Sequence, residues 1–84
     1  MDWTVVEDSN IAEVGFEAPS TLGLKFKPWN PEKPVTTYTY ANVTPDLHTE
    51  LLAAKDNPEY GSIRKFFDAK IKKHPELYPF TKVA

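Results

Sequence analysis

With 84 residues and a formal net charge of −2, the chain has room for one domain (residues 1–84) and a modest core, burying roughly 60–65 % of its unfolded surface. The absence of cysteine excludes a disulfide frame and any thiolate metal site, and it suits a reducing, cytoplasmic setting. Met1-Asp2-Trp3 carries no basic leader, and no apolar run nears the roughly 18–20 residues that span a bilayer, so a cytoplasmic protein is expected.

The charges are segregated along the chain. Between Asp2 and Glu17 lie five acids (Asp2, Glu7, Asp8, Glu13 and Glu17) and no base; between Arg64 and Lys73 lie five bases (Arg64, Lys65, Lys70, Lys72 and Lys73) and one acid, Asp68. Such runs either form solvated faces or mark the two poles of a binding protein.

Trp3-Thr4-Val5-Val6 is extended in character, Ser9-Asn10 interrupts it, and Ile11 to Phe16 resumes it. This predicts a strand over Val5–Phe16 with a bulge or kink at Ser9-Asn10, or two short strands in its place. Ala18-Pro19-Ser20-Thr21 reads as a turn. Leu22–Lys27 alternates cleanly, placing Leu22, Leu24 and Phe26 inward and Gly23, Lys25 and Lys27 outward. Pro28 to Pro34 contains three prolines, which deny it ladder hydrogen bonds and make it a stiff loop. Trp29 in that loop either folds back over the sheet or projects as an anchor for a partner.

Val35–Ala41 is rich in β-branched and aromatic residues and predicts the central strand. Its period of two puts Tyr38 and Tyr40 on one face, about 7 Å apart. They serve either as core packing or as a stacking surface. Thr44 then offers an N-cap hydroxyl and Pro45 a first helical position that needs no N–H. A helix over Asp46–Lys55 follows, with Leu47, Leu51 and Ala54 on its stripe. Asn57-Pro58 or Gly61-Ser62 can start a second helix, whose apolar face is Ile63, Phe66, Phe67 and Ile71. His74-Pro75 stops it, and the tail Leu77-Tyr78-Pro79-Phe80 is apolar enough to dock. Together these segments predict an α+β domain: a three-stranded antiparallel meander with two helices over one face. Its expected core is Ile11, Val14, Phe16, Leu22, Leu24, Phe26, Tyr38, Tyr40, Leu47, Leu51, Ile63, Phe66, Phe67 and Ile71.

The order of these signals resembles the lysyl-tRNA synthetase C-terminal-type (KTSC) domain, which also occurs as a stand-alone bacterial or phage protein. The residues that carry the resemblance are Ser9-Asn10-Ile11, Val14-Gly15-Phe16, Leu22-x-Leu24-x-Phe26, Tyr38-Thr39-Tyr40, Asn42-Val43-Thr44-Pro45, Leu51-Leu52-x-Ala54 and Tyr78-Pro79-Phe80. The loop from Pro28 to Pro34 and the segment from Asn57 to His74 are longer than in the pattern, and Gly61-Ser62-Ile63 only partly matches the family's glycine-aromatic signature. What the resemblance implies is an RNA-binding role, with no catalytic residues to carry over.

Catalytic chemistry finds little support in the residues. His48 and His74 are the only imidazoles, too few and too separated for a metal centre, so none is expected. Ser9, Ser20 and Ser62 occupy turn or cap positions rather than a nucleophile elbow. Gly15, Gly23 and Gly61 are isolated and cradle no phosphate, and Asp46 and Glu50 suit a solvated helix start. A non-catalytic binding module without cofactor is therefore expected.

Two partners fit. In the first reading Arg64, Lys65, Lys70, Lys72 and Lys73 contact RNA phosphates while Tyr38, Tyr40 or Trp29 stacks on unpaired bases. In the second, the acidic N-terminal segment or Trp29 docks on a nucleic-acid-handling protein, as an inhibitor or adaptor borne by a phage or mobile element.

Overall fold

The computed structural model describes residues 1–28 and 30–83. Five strands follow one another in space as in sequence: β1 (Asp2–Val5), β2 (Ile11–Glu17), β3 (Thr21–Phe26), β4 (Thr36–Tyr40) and β5 (Phe80–Lys82). Every neighbouring pair is antiparallel. The α+β class is as expected, but the sheet has five strands and not three. The expected first strand is two, β1 and β2, paired with each other, and the tail contributes β5.

The break between β1 and β2 has a local cause. The Asp8 carboxylate accepts the N–H groups of Asn10 at 2.8 Å and Ile11 at 3.0 Å, replacing ladder bonds by a side-chain-closed turn. The β2–β3 register then shifts between Ile11 and Glu13, as a bulge does. β5 escapes the strand pattern because only three residues form it, behind Pro79. Tyr40 pairs with Phe80 and Tyr38 with Lys82.

Two helices cover the face that carries Val14, Leu22, Leu24 and Tyr40: α1 (Pro45–Leu52) and α2 (Ile63–Phe67). Both start as the side chains dictate. Thr44 Oγ1 accepts from Leu47 N at 3.1 Å with Pro45 at the first position, and Ser62 Oγ accepts from Lys65 N at 3.0 Å, each satisfying an orphan donor. A 3-10 turn (Ala54–Asp56) ends α1, and a π-helical turn (Asp68–Lys72) prolongs α2.

The core joins sheet and helices in one cluster, with Ile11, Val14, Leu22, Leu24, Leu51, Ile63, Phe67 and Ile71 fully enclosed. Phe16, Phe26, Tyr38 and Leu47 pack against its margin. Val43 and Ala54 are buried as well, beyond the expected set.

The opposite face of the sheet is closed by a different device. Gly15 and Gly23 lie opposite each other in β2 and β3, and the Trp3 ring rests on both. A Cβ at Gly15 would meet Trp3 Cε3 at 2.7 Å, so only glycine leaves room for the indole. Lys25 Nζ stands 4.3 Å from the Trp3 ring centroid and pairs with Glu13 at 3.1 Å, adding a cation–π contact above it.

Candidate functional site

A cavity of about 320 Å³ opens between β3, β4 and β5 on one side and α2 with its π turn on the other. The register explains its walls. Phe26, Tyr38, Tyr40 and Phe80 all project from the helix-facing side of adjacent strands, because cross-strand partners share a face. Phe67, Ile71 and Tyr78 close the helix side, with Pro75 beside them. Tyr40 meets Phe67 edge-on at 5.1 Å between centroids, and Tyr38 meets Phe26 at 5.8 Å and Phe80 at 6.0 Å in the same manner. Edge-to-face packing of this kind fixes ring orientation.

The segment that supplies Tyr78 and Phe80 is tied down. Ala41 N donates to Pro79 O at 3.0 Å, and Asn42 Nδ2 donates to Leu77 O at 3.1 Å. Asn42 holds a left-handed backbone, with φ of 64°, a conformation that Asn tolerates better than most residues. The cavity is thereby preformed.

Two cations reach it. The Arg64 guanidinium stands 5.3 Å from the Phe26 ring centroid, and its Nε donates to Asp68 Oδ1 at 3.0 Å, so stacking and an ion pair together hold it in place. Lys72 also lines the cavity and is exposed. Among the described residues no carboxylate pairs with it. Lys82, opposite Tyr38 in β5, shares this face. Among the described residues the cavity lining carries two positive charges, Arg64 and Lys72, with Asp68 paired to the first.

The seven residues expected to contact nucleic acid separate into two groups. Tyr38, Tyr40, Arg64 and Lys72 converge on the cavity. Lys65, Lys70 and Lys73 are exposed on other parts of the surface, and Lys70 borders a second depression, of about 380 Å³, with Glu50 and Glu59. Arg64 and Phe67 from α2 line the cavity together with Ile71 and Lys72 from the π-helical turn, and Lys65, Lys70 and Lys73 do not. An open stacking surface of Tyr38 and Tyr40 is not what the sheet offers. Tyr40 is only 7 % exposed, and helices cover that face, so the two rings act as cavity walls. Burial first, and then the neighbouring Tyr38, push the Tyr40 phenol up to about 12, which keeps its hydroxyl a neutral donor at physiological pH. Trp29, the expected partner anchor, lies outside the described residues.

Asp68, Tyr78 and Phe80 join the site although the sequence reading gave them no site role. Phe80 had one usable signal, the aromatic Tyr78-Pro79-Phe80 after the helix stop. The acidic segment is largely occupied within the chain: Glu13 pairs with Lys25, Glu7 with Lys55 at 3.4 Å, and Glu17 with the terminal amine at 3.8 Å. Asp8 is taken up by backbone donors.

Elsewhere, His48 stacks on Phe16 at 4.6 Å with 14° between the planes. Burial lowers its pKa below the ordinary 6.5. Among the described residues no cluster of three or more His, Cys, Asp or Glu side chains could hold a metal ion, and no helix is long and apolar enough to cross a membrane.

No protein-family model matches the chain, and no curated protein or solved structure matches it either.

Proposed function

We propose that this protein is a non-catalytic module that binds single-stranded RNA at the cavity between β5 and α2. One observation carries the reading: Arg64 and Lys72 share a cavity with Tyr38, Tyr40 and Phe80. Single-strand RNA readers divide recognition in this way, with aromatic faces for unstacked bases and cations for phosphates.

The test is a direct titration of the full chain with short single-stranded RNA at low salt. Lys72→Glu with Arg64→Gln is expected to abolish binding, and Lys65→Glu with Lys73→Glu to leave most of it. Equal losses from both pairs would contradict a site confined to the cavity.

A second reading, docking on a nucleic-acid-handling protein, draws on the apolar C-terminal segment beside the cavity. Leu77, Phe80 and Val83 are each more than half exposed there, and a run of exposed apolar residues favours a protein surface. It predicts loss of partner capture in Leu77→Asp with RNA binding absent from the outset.

A further inference from the structure

We propose that the cavity is a receptor for one nucleoside monophosphate unit, with the base among the aromatic rings and the phosphate between Arg64 and Lys72. The inference rests on the RNA-binding reading and deepens it, by naming the part of the strand that is held.

Size sets the first limit. A cavity of about 320 Å³ stands at the lower end of small-molecule sites, roughly 300–1,000 Å³. One base with its sugar fits that space, and a stacked run of bases does not. The chemistry of the walls sets the second limit. Tyr38 and Phe80 meet at 63°, leaving a corner of two ring faces against which a flat, polarisable group gains dispersion contacts. Tyr40, its ring edge-on to Phe67, also lines the cavity and carries a hydroxyl. A phenol that stays protonated gives a base edge a donor to meet.

The rim decides the charge of the ligand. Asp68 takes the Arg64 Nε, which leaves the guanidinium's terminal nitrogens for a second acceptor. Lys72 is exposed and unpaired among the described residues. An apolar ligand would leave Lys72 and the terminal guanidinium nitrogens of Arg64 unused, whereas a phosphate can accept from both through charge-assisted hydrogen bonds. The depression at Lys70 is no rival, since Glu50 and Glu59 border it and repel an anion. Because Asn42 and Ala41 already anchor the Leu77–Phe80 segment, binding pays little ordering entropy.

A free nucleotide and a nucleotide within a strand offer this same chemistry, and the experiment separates them. The full chain is titrated by NMR with adenosine monophosphate, adenosine and ribose phosphate, and in parallel with a short single-stranded RNA. The proposal predicts amide shifts at Tyr38, Tyr40, Lys72 and Phe80 with the monophosphate. It also predicts affinity at least about tenfold above that of adenosine or ribose phosphate, since ring stacking and phosphate pairing each contribute on that order. Phe80→Ala, a change at an exposed edge-strand residue, is expected to weaken both the monophosphate and the RNA by about tenfold.

RNA binding that ignores Phe80→Ala, with no monophosphate shifts, would overturn the receptor and leave the RNA reading standing. Monophosphate binding without RNA binding would support the receptor for a free nucleotide and overturn the RNA reading. Ribose phosphate binding as tightly as the monophosphate would overturn the insertion of a base. If neither ligand binds, both readings fall.

Discussion

The Asp8 carboxylate accepts the backbone N–H of Arg64 at 3.3 Å, across 56 positions of the chain. The same side chain closes the β1–β2 turn through Asn10 and Ile11, and the Asp8 carbonyl accepts from Lys27 Nζ at 2.6 Å. One acid thus joins the first hairpin to the start of α2, near the positive end of the helix, where a carboxylate is favoured. The position from which Arg64 reaches the cavity depends on that junction.

Asp8→Ala is therefore expected to destabilise the fold by about 2 kcal/mol, the loss of a cap together with orphaned turn donors. Since each kcal/mol shifts the midpoint of a domain this small by roughly 4–8 °C, thermal unfolding resolves the effect. Asp8→Asn, which keeps an acceptor, should lose less. An unchanged midpoint in Asp8→Ala would mean that Ser62 alone fixes the helix start.

His48 gives the fold an acid-sensitive component. Its folded pKa lies below the ordinary 6.5, so as pH falls the unfolded chain takes up the proton first. Its contribution is complete above about pH 6.5 and is lost as pH falls through that value toward the lower folded pKa. Denaturant midpoints measured down this range should fall for the wild type. His48→Phe, which keeps a ring to stack on Phe16, should flatten that part of the profile.

Tyr40 acts at the alkaline end. The unfolded phenol ionises near 10.0 and the folded one near 12, so stability is lost as pH rises from the first value toward the second. In the phenolate absorbance of the native protein, one tyrosine should ionise near 12. Tyr40→Phe should remove that step while keeping the edge contact with Phe67. Persistence of the step in the variant would assign it to another tyrosine and deny that Tyr40 is the enclosed cavity wall.

Local chemistry made much of this fold legible. Leu22, Leu24 and Phe26 declare a strand by strict alternation, and Thr44-Pro45 declares a helix start, and the structure realises both; of the two starts open to the second helix, Asn57-Pro58 and Gly61-Ser62, it takes Ser62. Non-local relations were not legible. Nothing near Asp8 in sequence says that its carboxylate will meet Arg64, and three residues behind a proline are too few for β5 to show a period. The cavity was hidden for that reason, since Phe80 reaches it only once β5 has paired with β4. The five helix cations looked equivalent because the reading set them against the apolar face as one group. On a regular α-helical wheel Lys72 falls beside Lys65 and away from Arg64, so the pair was not legible in the sequence; the π-helical turn over Asp68–Lys72 and the sheet behind it bring Arg64 and Lys72 to one cavity.

The most direct test of the central claim is the salt dependence of single-stranded RNA binding by the wild-type chain. One phosphate shared by Arg64 and Lys72 predicts a log–log slope of about −0.7, rising to about −1.4 if each cation meets its own phosphate, at about −0.7 per phosphate on single strands. A slope near about −3.5 would mean that the whole basic helix is engaged and that the cavity is not the site. No binding at low salt would contradict the RNA-binding account itself.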